Sequence, residues 1–426
     1  MFIFIPGKNW RLSLAELGAY FAVRAYSIKV VEASAAFFVL KGSATLERAV
    51  IDDLGGIIKI GRVTAVLPTS IVRAAFINDE HEALEKVRAA VLSNSTVSEI
   101  TSPRSGKPLF GISVYSADSS LHLAARKIHR FIGSALKSAL GNVGKHFHFI
   151  GYPPNRSMPQ LTAIEVLKKN LVNNNAEILF CIGKRNCYAA ITIAVHDPLE
   201  FQKRDVHKPV QRRIFAMPPR IARIMINLAG CMTNKTLLDP FCGVGTVLQE
   251  ALLAGAYTIG GDINPWCVEA SKRNLSWLKA EYSQVNVNYD IAHFDACHLC
   301  FKDLDSIATE PDLGPALSQV PTVSYAERLV KKLKPLFTAF TLEAYNALRK
   351  QGRLVMVTPY FRTRTRDFVG LSIDEDAYTV GFKKVNPIRE EMFEDHVLYA
   401  SMFPTSPLTD FEARHKVGRE IHIFEK

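Results

Sequence analysis

Four acidic residues end short apolar runs in the second half of the 426-residue sequence: Asp239 in "TLLDPFCGVGT", Asp262 in "TIGGDI", Asp295 in "YDIAHFDA" and Glu310 in "SIATEPDLGP". Each run reads as a strand, which puts each acid at a carboxyl end, where open α/β sheets bind ligands in the crevice at the switch of strand order. After the first acid, Gly243 and Gly245 turn the chain into a helix that starts near Thr246. Glycines let backbone approach a ligand closely, and the first N–H groups of a helix are free to meet an anion. Asp262 is placed to accept from a ribose diol and Asp295 from an adenine amino group. The dinucleotide fingerprint G-x-G-x-x-G fails at Leu248. S-adenosylmethionine therefore fits the crevice better than a nicotinamide cofactor. For the glycines alone, a tight strand-to-helix turn is the alternative.

The elements around these residues divide the chain. Residues 1–70 read strand "MFIFIPG", helix "SLAELGAYFAVRAY", strands "SIKVVEA" and "AAFFVLKG", helix "TLERAVIDDLGG" and strand "IKIGRVTAVLP". That is the β-α-β-β-α-β order of a ferredoxin-like unit. Residues 71–200 continue with helix "EHEALEKVRAAVL", a loop at "TSPRSGKP", strand "LFGISVYS", the basic helix "LHLAARKIHRFIGSALKSAL", strand "KHFHFIG", helix "QLTAIEVLKKNLV" and strands "AEILFCIG" and "CYAAITIAVH". Residues 201–217 read as a linker, and Pro218 and Pro219 open the helix "RIARIMINLAG" of a third unit, 218–426. Strands alternating with helices there predict a mostly parallel, doubly wound sheet.

The formal net charge of +11 lies in the middle of the chain. Residues 101–220 carry 18 Lys/Arg against 6 Asp/Glu, whereas 1–100 carry 11 against 10 and 221–426 carry 23 against 25. A near-neutral α/β unit joined to a basic one suggests an enzyme with its own polyanion-binding module. Candidate phosphate ligands are Arg126, Lys127, Arg130 and Lys137 on the basic helix, with Lys145 and Arg156 beyond it. For any one of them a solvated helix face is the alternative. No apolar run reaches the ~18 residues of a membrane helix, and the N-terminus reads as a strand, not a signal peptide. Seven cysteines, an odd number, suit a reducing cytoplasm. Cys297 and Cys300 form the only C-x-x-C; without a second ligand pair no metal is expected.

The segment "LLDPFCGVGTVLQEAL…GDINPWCVEASKRNL", preceded by "MPPRIARIMINLAG", resembles the class I methyltransferase domain of THUMP-containing RNA guanine-N2 methyltransferases. It is most like the tRNA (guanine(10)-N2)-methyltransferase group. The stretch "LHLAARKIHRFIGSALKSAL…HFHFIGYPPNRSMPQLTAIEVLKKNL" resembles a THUMP domain. The resemblance implies a Rossmann-like domain preceded by α+β ferredoxin-like and THUMP domains, S-adenosylmethionine as cofactor and tRNA as partner. It gives the methionine end of the cofactor to Asp239, Gly243, Gly245 and Thr246, the ribose to Asp262, and adenine to Asp295 and Ala296. Phe241 and Ile263 complete the candidate set.

Members of this group carry an Asp/Asn-Pro-Pro-Tyr/Phe turn where this chain has Glu310-Pro311-Asp312-Leu313. The N2 amine of guanine is a weak nucleophile because its lone pair is delocalised into the ring. A catalyst must accept its N–H hydrogens and hold the base in line with the methyl group. Glu310 matches the acceptor and Pro311 the first proline, Asp312 replaces the second proline, and Leu313 stands where an aromatic would stack on the base. Tyr360, in "VTPYFRTRTR", is the candidate replacement for that aromatic, with packing under a loop as its alternative. Two readings compete with a tRNA enzyme: a methyltransferase of rRNA or another RNA exocyclic amine, and a non-catalytic RNA-binding protein. The sequence leaves open a requirement for a small activating protein subunit.

Overall fold

A computed structural model describes residues 1–42, 46–103, 106–152, 156–212, 216–402, 407–412 and 415–426. Parts of the predicted stretches "TSPRSGKP", "GYPPNRS" and "QRRIFA" therefore lie outside the described residues.

The first sheet holds β1 (Phe2–Pro6), β2 (Ile28–Ala33), β3 (Phe38–Gly42), β4 (Ile57–Pro68), β5 (Leu109–Ser116), β6 (His148–Ile150), β7 (Glu177–Ile182) and β8 (Asn186–Val195). Its order is β2-β3-β1-β4-β8-β7-β5-β6. β4 is long enough to pair with β1 on one side and β8 on the other. The limit expected at residue 70 thus follows a strand that both units share.

Two predicted helices are shorter than their patterns. The segment 45–56 makes only a 3-10 turn, Arg48–Asp53, because Gly55 and Gly56 next donate their N–H groups at 2.7 Å to the buried carboxylate of Glu16 and draw the chain off the helical path. The segment 160–172 keeps only the capped helix Ala163–Lys168. Asn170 then turns to φ 54°, a left-handed conformation that asparagine tolerates.

The helix Trp10–Val23 is apolar on nearly every side, the pattern of a helix buried all round. It packs between the first sheet and the helix Pro219–Leu228, so Phe4, Leu17, Ile224, Leu237 and Val355 share one core. Burial raises the Glu16 pKa; its carboxylate also accepts from Asn227 Nδ2 at 2.8 Å, joining the first and last units.

The second sheet holds β9 (Thr236–Asp239), β10 (Tyr257–Asp262), β11 (Tyr289–His293), β12 (Leu304–Thr309), β13 (Leu348–Arg362), β14 (Phe368–Gly370), β15 (Lys383–Lys384), β16 (Leu408–Asp410) and β17 (Val417–Glu425). Its order is β11-β10-β9-β12-β13-β17-β15, with β14 beside β13 and β16 beside β17. The strands from β11 to β13 run parallel and β17 is antiparallel. The order reverses between β9 and β12, which is where a doubly wound sheet opens its crevice. This is the Rossmann-like sheet expected from the alternating pattern.

The predicted linker is not free chain. Asp197 caps a helix, Pro198–Val206, whose Arg204 is buried against Glu250. Beyond it, Asn274 Nδ2 donates to Val210 O at 2.9 Å and Val244 O at 2.8 Å, strapping the segment over the glycine loop.

Candidate functional site

β9 delivers Asp239 to the switch point, and the chain then turns through Gly243 (φ 53°) and Gly245 (φ 84°) into the helix Thr246–Leu253. A Cβ on Gly245 would stand 3.0 Å from Ser271 Oγ, so both space and φ call for glycine there. The Gly243 N–H donates to Asp262 Oδ2 at 3.0 Å, and Asn264 N to Asp262 Oδ1 at 2.9 Å. Each oxygen keeps a lone pair for a ribose hydroxyl.

Asp239 is 2% exposed and accepts from Thr309 Oγ1 at 2.6 Å and Phe241 N at 3.2 Å. Burial pushes its pKa up to about 7; those two donors pull it down, while the charges of Asp262 and Glu310 push it further up. Asp239, Phe241, Gly243, Thr246 and Glu310 line one cavity of about 50 Å³. Phe241 meets Phe340 edge-on at 5.1 Å. Asp295 accepts from Cys297 N at 2.9 Å, the main reason its pKa is lowered, and faces His298 Nδ1 at 3.3 Å. Ala296 beside it is buried, whereas Ile263 is 67% exposed at the end of β10.

Glu310 leaves β12 beside this cavity, and both its oxygens take the guanidinium of Arg419, Oε1 at 3.3 Å. Pro311 is buried. Asp312 is exposed and its Oδ1 accepts from Gly314 N at 3.0 Å. Leu313 is only 5% exposed and packs into the shared core. Tyr360 stacks on Phe368, ring centres 4.6 Å apart; burial, then the Glu420 charge, raises its pKa. In the β13–β17 ladder Pro359 is opposite Arg419 and Tyr360 opposite Gly418. Alternation therefore sends Tyr360 to the sheet face away from Arg419.

The basic candidates separate into two groups. Lys145 donates to the carbonyls of Val97, Ser98 and Ile100, at 3.3, 3.3 and 2.7 Å, closing the helix Asn94–Glu99. Arg156 forks onto Glu165 at 2.8 and 3.1 Å, and Lys127 pairs with Asp79. Arg126 donates to Arg156 O at 3.3 Å and lies near the ring of Tyr152. Arg130 and Lys137 project to solvent from the helix Ala125–Asn142. A groove of about 790 Å³ runs along it, lined among others by Arg88, Lys127, Arg130 and Ser134. Among the described residues no group of three or more side chains could hold a metal, and no helix is long and apolar enough to cross a membrane.

Three cations stand at the site that no sequence pattern singled out. Lys208, 3% exposed, donates to Thr246 Oγ1 at 2.9 Å, and burial lowers its pKa. Arg212 lines the cavity, its Nη1 3.8 Å from where a Cβ on Gly243 would stand. Both belong to "HKPVQRR", a basic cluster that precedes the helix Pro219–Leu228 and is the one available signal for them. Arg419 has no local signal, because its partner lies 109 positions away.

Residues 210–369 match a family model described as the RMKL-like methyltransferase domain, UPF0020. A curated tRNA (guanine(10)-N2)-dimethyltransferase of Methanothermobacter thermautotrophicus is 30% identical over 163 residues, 36% of this chain and 43% of that protein. One of the same name from Pyrococcus abyssi is 32% identical over 219 residues, 51% of this chain and 59% of that protein. The chain thus spans about half the length of the curated relatives it matches. The crystal structure of TrmN from Thermus thermophilus aligns over 100% of this chain and 99% of its own, with a TM-score of 0.51 and 16% identity, a likeness of fold. The residues that match the RMKL-like methyltransferase-domain model, 210–369, carry the glycine loop, Asp262, Asp295 and Glu310 on the Rossmann-like sheet.

Proposed function

We propose that this protein is an S-adenosylmethionine-dependent RNA methyltransferase that methylates the exocyclic N2 of a guanine in tRNA, guanosine 10 being the position in its relatives' names. One observation carries the reading: Asp239, the glycine loop and Glu310 meet around a single cavity at the switch point. The residues fit the cofactor. Gly243 and Gly245 leave the backbone open, Asp262 keeps acceptors for a diol, and Asp239, whose pKa is raised by burial first and then by the charges of Asp262 and Glu310, stands among carboxylates whose mutual repulsion a cation would relieve. When bound, S-adenosylmethionine supplies an electrophilic methyl group on a positively charged sulfur.

The chain's own residues do the rest. Glu310 and the Pro311 carbonyl accept the N–H hydrogens of the guanine amine, turning its lone pair toward the methyl group. Asp312 keeps one oxygen for guanine N1–H. The base reaches the site flipped out of its stack. Residues 1–70 and 71–200 act as the ferredoxin-like and THUMP RNA-binding part, 201–217 connects them to the methyltransferase domain 218–426, and Arg126, Arg130 and Lys137 bind phosphates. Seven free thiols support a cytoplasmic setting. The test is incubation of bulk tRNA with labelled S-adenosylmethionine, digestion, and identification of the nucleoside by mass. N2-methylguanosine or its dimethyl form is expected. A different nucleoside, or label in rRNA alone, would replace this reading.

A further inference from the structure

Asparagine at a helix N-cap ordinarily accepts from the first turn with its own side chain, yet Asn9, which precedes the helix Trp10–Val23, makes no such bond. Its amide reaches instead to Asp410, Nδ2 to Oδ1 2.5 Å, across 401 positions of sequence. The other oxygen of Asp410 is 3.6 Å from Arg419 Nη1. Arg419 forks onto Glu310 with Nε and Nη2, and Nη2 also donates to Ala216 O at 3.4 Å. The side chains of Asp410, Arg419 and Glu310 are only 11–12% exposed. Gly418 lets this hairpin close, since a Cβ there would lie 2.7 Å from the Phe411 ring.

The planar guanidinium fixes the plane of a carboxylate as well as compensating its charge. A carboxylate held in this way still has lone pairs for an amine. Arg419 is itself held from its far side by Asp410, and Asp410 by a residue of the first unit. Free solvent-exposed charge pairs contribute little order, but these side chains are nearly enclosed.

We infer that Asn9, Asp410 and Arg419 are positioning residues for methyl transfer, a polar relay through which the first unit orients the Glu310 carboxylate toward the amine. This rests on the reading of Glu310 as amine acceptor. A displacement of about 1 Å at a reacting group can slow a reaction on the order of a hundredfold, so the relay acts on the transfer step and leaves cofactor and RNA binding alone.

The experiment compares full-length Asn9→Ala, Arg419→Ala, Arg419→Lys and Glu310→Ala in single-turnover transfer to tRNA, with S-adenosylmethionine and tRNA affinities and melting temperature measured alongside. Arg419→Ala is expected to slow transfer on the order of a hundredfold with both affinities kept, and added guanidinium should restore part of the rate. Arg419→Lys should restore little, and adding Arg419→Ala to Glu310→Ala should cost little more, because both act on one group. Asn9→Ala should slow transfer several-fold at unchanged melting temperature. If Arg419→Ala does not fold, Asn9→Ala decides alone. Wild-type transfer rates in Asn9→Ala and Arg419→Ala, with Glu310→Ala inactive, overturn the relay and keep the acceptor. A rate loss matched by an equal loss of cofactor or tRNA affinity also overturns the relay. An active Glu310→Ala removes the acceptor reading and the relay with it.

Discussion

The carboxylate of Asp239 accepts from the Thr309 hydroxyl at 2.6 Å, tying the end of β9 to the end of β12 across the point where the strand order reverses. Both residues are buried. Asp239 is therefore at once a structural tie between two strands and an acid pressed by the charges of its neighbours.

A folded-state pKa of about 7 lies well above the ordinary ~3.9 of an aspartate. The folded protein then binds the proton more tightly than the unfolded chain. The stabilisation is complete below about pH 4 and lost as pH rises through about 7. Denaturation of the unliganded protein should show stability falling across that window, and Asp239→Asn should flatten the fall. S-adenosylmethionine is cationic and favours ionised Asp239, so its affinity should rise by up to about tenfold per pH unit as pH approaches 7. Thr309→Val, which removes a donor to the ionised form, should move that midpoint upward in calorimetric titrations.

Asp262 holds the Gly243 and Asn264 N–H groups, and under the proposed function it also takes the ribose diol. Asp262→Ala should weaken S-adenosylmethionine binding by about 1–3 kcal/mol, the cost of leaving polar partners unsatisfied. Equal affinities for variant and wild type by calorimetry would take Asp262 out of the site.

Glu310→Ala should leave cofactor and RNA binding nearly intact while slowing transfer steeply, because its bond to the amine matters most in the transition state. Asp312→Ala should cost much less, since one of its oxygens is already on Gly314 N. Leu313→Tyr tests the missing aromatic. Because Leu313 is buried, the larger ring should overpack the core and lower stability by about 1–3 kcal/mol without raising activity. A gain in single-turnover rate would mean that the turn can open to receive a stacking ring.

On the basic helix, Arg130→Ala with Lys137→Ala should lower the salt slope of tRNA binding by about one for each phosphate that is no longer neutralised. Lys145→Ala should behave differently, lowering the melting temperature with the slope intact, because its ammonium closes the helix Asn94–Glu99. Filter binding over a range of salt separates the two outcomes; a reduced slope in Lys145→Ala would return that residue to the RNA surface.

The local machinery of the site is legible in the chain alone. Apolar runs ending in Asp239, Asp262 and Glu310, with Gly243 and Gly245 between the first two, can be read because strand period and turn chemistry act over a few residues. The alternation of strands and helices that builds the second sheet can be read for the same reason. Which charges are free is a matter of three-dimensional packing. Lys145, Arg156 and Lys127 have the residue type and the neighbourhood of phosphate ligands beside Arg130, yet each has a partner within the fold. Packing also turns Leu313 inward, stacks Tyr360 on Phe368, and sets Arg419 on Glu310 and Asn9 on Asp410. Such pairs join residues 109 and 401 positions apart. Long-range partners leave no periodicity or spacing in the chain, because they are chosen by the packing of whole units once the local elements have formed.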